Sequence, residues 1–125
     1  MQDQWQIDFY TEVDGTLPVK EFLENSSLKP GELKQFALRL KLLRAYGLRL
    51  LKERSDILDK IATEKNLYEL RIDNTPNNPR IFLCASGGKR FFLLHGFKKK
   101  SRKTPKSEIN IAAKRRDQLI VDEEG

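Results

Sequence analysis

Five of the six residues from Lys98 to Lys103 are Lys or Arg, and they follow directly on the apolar run "RFFLLHGF". Two further cations, Arg71 in "NLYELRID" and Arg80 in "PRIFLCAS", interrupt alternating apolar patterns. A guanidinium stays charged and grips two phosphate oxygens at once, so a pair of arginines on one sheet face suits a phosphate clamp better than lysines there. Lys98, Lys99, Lys100, Arg102 and Lys103 would add attraction for backbone phosphates that is independent of sequence. His95 is the single histidine. Its ordinary pKa of about 6.5 makes it the natural acid-base candidate. A structural histidine with one satisfied nitrogen is an equally good reading of its place between Leu94 and Gly96.

The charge distribution supports a polyanionic partner. Residues 1–88 hold 13 Lys/Arg against 13 Asp/Glu and are neutral, whereas residues 89–116 hold 11 Lys/Arg against Glu108 alone. Residues 117–125 add four acids. The formal charge of +6 is thus concentrated in one segment rather than spread as a solvated face. A chain of 125 residues suits one domain, here expected over 1–125 with a fraying acidic tail at 117–125. No apolar run approaches the ~20 residues that span a bilayer, and "MQDQWQIDFY" lacks the features of a signal peptide, so a cytoplasmic location and no membrane partner are expected. Cys84 is the lone cysteine and reads as a small strand residue. One His, one Cys and scattered carboxylates are poor material for a metal site, and no cofactor motif is visible.

The elements that must position these residues follow from side-chain period. "QWQIDFYTEV" alternates Trp5, Ile7 and Phe9 with polar residues, as a half-buried strand does. Pro18 opens a short helix that "NSS" ends. "KPGELKQFALRLKLLRAYG" predicts a longer helix with Leu33, Phe36, Ala37, Leu40 and Leu43 on one stripe and Gly47 as C-cap. Residues 48–66 lack a clean period and read as a connector with room for a helical turn. "NLYELRID", "PRIFLCAS" and "KRFFLLHGF", joined by "NTPNNP" and "GG", predict an antiparallel meander of three strands. Thr104 can cap a last helix from Pro105, with Ile109, Ala112 and Ala113 facing inward. The expected fold is α+β: strand, two helices, three strands, helix. On the strands, Tyr68, Leu70 and Ile72 share a face with Ile81, Leu83 and Ala85, which sends Arg71 and Arg80 to the other, solvent-facing side. The last strand is apolar on both sides, so parity does not tell whether His95 or Lys98 joins them.

The joint pattern "LYELR", a following "RIF" strand, "LLHGFKKK" and "KTPKSEI..A..R" resembles the HigB-like, phage-derived branch of the RelE toxin superfamily of bacterial toxin-antitoxin modules, over most of the chain. The resemblance implies an endoribonuclease that cuts messenger RNA, typically on the ribosome, and is held inactive by a cognate helix-turn-helix antitoxin. Metal-free RNA cleavage needs a base for the 2′-hydroxyl, cations for the phosphorane and an acid for the leaving oxygen. Arg71 and Arg80 match basic positions of the family's active face. Lys98 and Lys99 match the basic pair that ends its last core strand, where one cation contacts the scissile phosphate; Lys98 is the preferred one. The candidate catalytic set is therefore Arg71, Arg80, His95 and Lys98. The main rival is a non-catalytic RNA-binding module in which Arg71 and Arg80 are salt-bridge partners of Glu69 and Asp73. A DNA-binding regulator is disfavoured, since no helix-turn-helix is evident.

Overall fold

The computed structural model describes residues 4–124, with side chains described through Leu119. Ten segments succeed one another: β1 (Gln6–Phe9), α1 (Pro18–Asn25), α2 (Pro30–Tyr46), a 3₁₀ turn (Gly47–Arg49), the single-turn α3 (Leu50–Glu53), β2 (Leu58–Lys60), β3 (Tyr68–Arg71), β4 (Pro79–Ser86), β5 (Arg90–Lys98) and α4 (Lys106–Glu124). The strands form one mixed sheet in the order β1-β5-β4-β3-β2. Strand β1 lies parallel to β5, and the rest of the sheet is an antiparallel meander.

The α+β expectation holds, with one addition. The connector contributes the short strand β2, which pairs with β3 from Leu58↔Leu70 to Lys60↔Tyr68. Only Leu58 of its three residues is fully buried. A strand this short at a sheet edge is too brief to show a period of two.

Both faces of the sheet are covered. On one, Leu70, Ile72, Ile81, Leu83, Phe91 and Leu93 pack against Val19 of α1 and Phe36 and Leu43 of α2. Each such side chain, fully removed from water, contributes about 1.5–3 kcal/mol. On the other, Phe82, Cys84, Leu94 and Phe97 pack against Ala112 and Ile109 of α4. Helix α2 is rotated from the predicted stripe: Glu32, Phe36 and Leu43 are buried, while Leu33 and Ala37 lie outside. Gly47 does end α2, with φ at +57° and its N–H donating to the Leu43 carbonyl. The position requires glycine twice over, because a Cβ there would lie 2.1 Å from Nε1 of Trp5, whose ring stacks on Phe91. Helix α4 opens on the Pro105 carbonyl, which accepts from the N–H of Glu108, and continues through Glu124, so the tail expected to fray is helical up to Gly125, which lies outside the described residues.

One irregularity decides where the histidine goes. Phe82 pairs with His95 but Leu83 pairs with Leu93, so Leu94 is an extra residue in β5. A bulge of this kind re-aims the side chains that follow it. Leu94 and His95 consequently both face α4, and Gly96 faces α1.

Candidate phosphate-binding cavity

The β3–β4 loop and the segment after β5 enclose a cavity of about 860 Å³, lined by Asp73, Asn74, Asn77, Asn78 and Arg80 on one side and Lys98, Lys99, Lys100 and Arg102 on the other. Five cations face one carboxylate, Asp73. Such a wall of like charge beside low-dielectric protein concentrates anions.

Each wall has a local cause. In "NTPNNP", Asn74 and Asn78 take left-handed backbone, φ +60° and +42°, which asparagine accepts more readily than most residues. The loop is then tethered to α2. The carboxylate of Glu32 accepts from Thr75 Oγ1 at 2.6 Å, from the Asn77 backbone N–H at 3.0 Å and from Asn77 Nδ2 at 2.7 Å. It also accepts from the Lys29 N–H at 2.8 Å, as an acid in the first helical turn does. Burial alone would raise the pKa of Glu32, but the hydrogen bonds from Thr75, Lys29 and Asn77 outweigh it and hold the carboxyl at about 2. On the facing wall, the N–H of Lys99 donates to the Asn78 carbonyl at 3.1 Å, which ties the lysine segment to the same loop.

Arg80 forms the floor, and its environment differs from the expected solvent-facing one. It is 5 % exposed. Its Nη1 donates to the carbonyls of Ile72 (3.0 Å), Pro79 (3.2 Å) and Asn78 (3.3 Å), and Nη2 donates to Asp73 Oδ1. Its Nε lies 3.7 Å from Glu69 Oε1 and has no hydrogen-bond partner among the described residues. Alternation correctly placed Arg80 away from α1 and α2, but that face is roofed by α4 and the β3–β4 loop rather than by water.

Arg71 is the direct register partner of Arg80, yet it does not line the cavity. Its Nε donates to Glu69 Oε1 at 2.7 Å and its Nη2 to Asp59 Oδ2 at 2.8 Å. Burial works against its charge, but Glu69 and Asp59 overcompensate and raise its pKa. Two arginines thus share three carboxylates, Glu69, Asp59 and Asp73, and their positive charge is cancelled locally. Lys98, Lys99, Lys100 and Arg102 make no ion pair among the described residues, and the net positive field of the cavity comes from them.

His95 is also elsewhere. Its Nε2 lies 2.9 Å from Glu108 Oε2, and its Nδ1 faces Arg115 Nη1 at 3.4 Å. Arg115 in turn donates to the Leu94 carbonyl and pairs with Glu12. Burial lowers the His95 pKa and the Glu108 hydrogen bond opposes this, with a net lowering. Because the Arg115 guanidinium can only donate, its contact makes Nδ1 the acceptor and leaves Nε2 as the ring nitrogen that can donate to Glu108. The bulge at Leu94 is the reason, since it turns His95 under α4.

The structure therefore brings together Arg80, Lys98, Lys99, Lys100 and Arg102, and leaves Arg71, His95 and Lys103 outside. Residue-by-residue reading missed Glu32 and the asparagines of the β3–β4 loop. The acid two positions after Pro30 was a legible first-turn signal; its long-range partners were not.

The described residues thus form a small α+β fold with a cation-lined cavity at the end of its central antiparallel strands. The family model described as "Phage derived protein Gp49-like (DUF891)" matches residues 24–117, and the chain belongs to that family, a toxin family of the RelE/HigB-like toxin-antitoxin kind. The match spans both walls of the cavity. No curated protein matches the chain. Family membership implies an antitoxin partner. Among the described residues no helix is long and apolar enough to cross a membrane.

Proposed function

We propose that the chain is the toxin of a type II toxin-antitoxin pair, of the HigB-like branch, and that it acts in the cytoplasm as an endoribonuclease on messenger RNA engaged with the ribosome. The observation that carries this reading is the cavity: one preorganised guanidinium surrounded by four cations with no ion-pair partner among the described residues, in a member of a toxin family. The 2′-hydroxyl of RNA supplies the nucleophile. As it gives up its proton to water and attacks the adjacent phosphorus, charge grows on the non-bridging oxygens, where fixed cations stabilise it without reorganising. The P–O5′ bond breaks as the leaving 5′-oxygen takes a proton from a lysine ammonium, leaving a 2′,3′-cyclic phosphate. Arg80 is held in place by four hydrogen bonds before any substrate arrives. Lys98 and Lys99 supply the mobile ammonium groups. Lys100 and Arg102 bind flanking phosphates, and ribosomal RNA offers further ones to Lys103. Arg71 and His95 serve as support: Arg71 orients Glu69, and His95 anchors α4 through Glu108.

The test is induction of the chain alone in a bacterial host, with and without the product of an adjacent small open reading frame encoding a helix-turn-helix protein. Growth arrest relieved by the partner, with cleaved messenger in the arrested cells, is expected; unimpaired growth with verified soluble protein counts against it. A second reading is non-catalytic RNA binding, favoured by the engagement of both Arg71 and Arg80 with Glu69, Asp59 and Asp73. Absence of cleavage products from RNA that the purified chain binds would establish it.

A further inference from the structure

A second cavity, of about 430 Å³, lies on the other side of the lysine segment, and its walls differ in kind. Phe22 of α1 and Phe97 of β5 supply aromatic surface, Ser107 and Glu108 of α4 supply a polar rim, and Lys98 and Lys100 line both this cavity and the first. Its position follows from the sheet. Strand β1 pairs with β5 only as far as Phe9↔Leu93, so among the described residues the last part of β5 has no strand beside it on that edge. Gly96 lets the Phe22 ring settle directly on this stretch, since a Cβ at Gly96 would lie 2.3 Å from the ring. Phe97 is held on the opposite side by Phe82 and His95.

We propose that this cavity is a nucleobase subsite, receiving the base of a nucleotide whose phosphate sits on Lys98 and Lys100. The inference rests on the RNA-binding reading above and adds specificity to it. A phosphate groove flanked by aromatic surface is the usual construction for single-stranded nucleic acid, because the backbone is held by charge and the base by stacking. The two cavities share their lysines, so one nucleotide spans them. Glu108 decides which base fits. Its Oε2 is occupied by His95, and its carboxylate presents acceptors only, which match the amino groups of adenine, cytosine and guanine better than uracil, whose single N3–H donor is flanked by two carbonyls that repel a carboxylate.

The experiment measures affinity of the full chain for a short single-stranded RNA made uncleavable by 2′-O-methylation, with an abasic ribose scanned along it. Loss of the base at one position is expected to weaken binding about tenfold, the scale for one stacked base. Uracil at that position should bind more weakly than the other three. Ser107→Trp, which fills the cavity from its rim, should erase the positional effect and leave the salt dependence of binding unchanged. Glu108→Gln, which adds a donor, should narrow the gap between uracil and the other bases. Uniform affinity across the abasic scan with the unaltered chain overturns the subsite while leaving RNA binding intact. Failure of the unaltered chain to bind any RNA overturns the underlying reading as well.

Discussion

Glu32 and Asn77 lie 45 residues apart and are joined by two hydrogen bonds, one from the Asn77 backbone N–H at 3.0 Å and one from its side-chain amide at 2.7 Å. Through this pair the first turn of α2 fixes the loop that walls the cavity. Glu32→Ala leaves the Asn77 and Thr75 donors without their buried acceptor and is expected to cost about 2 kcal/mol. The carboxyl titrates at about 2 when folded and near 4.5 when unfolded, so the folded state binds fewer protons between those values. Its stabilisation is complete above pH 4.5 and is lost as pH falls from 4.5 toward 2. Thermal melts across that window should show a steeper decline for the unaltered chain than for Glu32→Gln. Parallel curves would mean that the tether carries no charge-dependent stability.

The His95 pKa is depressed, which reverses the usual sign for a histidine with an acidic neighbour. The unfolded chain takes up a proton near pH 6.5 and the folded chain only below it, so stability is lost as pH falls from 6.5 toward the folded value. A proton-detected titration of the single imidazole should give a midpoint below 6.5. His95→Gln should remove this pH dependence. It should also leave messenger cleavage per folded molecule within about threefold, against the ~10²–10⁴-fold loss expected for a general acid or base.

How much of this was legible in the sequence depends on the kind of interaction. Alternation in "YELRID" and "RIFLCAS" placed Leu70, Ile72, Ile81 and Leu83 on one face, where they are found. The same alternation assigned Arg80 to the opposite face correctly and its exposure wrongly, because period reports direction and not what lies in that direction. Helix α4 has a weak apolar stripe from which Ile109 and Ala112 were correctly read as inward, but the stripe did not tell that they would cover Phe82 and Cys84. The bulge at Leu94 shifts one residue of register in an all-apolar stretch, where no polar marker reveals it. The cluster Lys98–Arg102 was legible because unpaired like charge is a property of composition. The tether from Glu32 was not, since its partners come from a loop far along the chain.

Electrostatic binding by the cavity should be visible in salt. If five phosphates are neutralised on single-stranded RNA, the log-log slope of affinity against salt should lie near about −3.5, and Lys99→Ala with Lys100→Ala should reduce its magnitude by roughly 1.4. A slope indifferent to both substitutions would place RNA on another surface.

Burial changes the expected consequence of removing Arg80. Arg80→Ala deprives Asp73 and three carbonyls of their donor while Glu69 keeps Arg71, so a loss of about 3 kcal/mol in stability is expected. Denaturant unfolding would check it. An unchanged midpoint would show that the buried guanidinium is not needed for the fold.

Lys98 offers the cleanest test of the central claim, because it lines the cavity without an ion-pair partner among the described residues and its loss should spare the fold. The measurement is messenger cleavage in a translating extract by the purified chain and by Lys98→Ala, at matched concentration and after melting temperatures have been shown to agree. A ribonuclease that stabilises the phosphorane with Lys98 should lose roughly 10²-fold or more in cleavage rate. Affinity for RNA should fall far less. Cleavage by Lys98→Ala at the rate of the unaltered chain would contradict the assignment of this cavity as the active site.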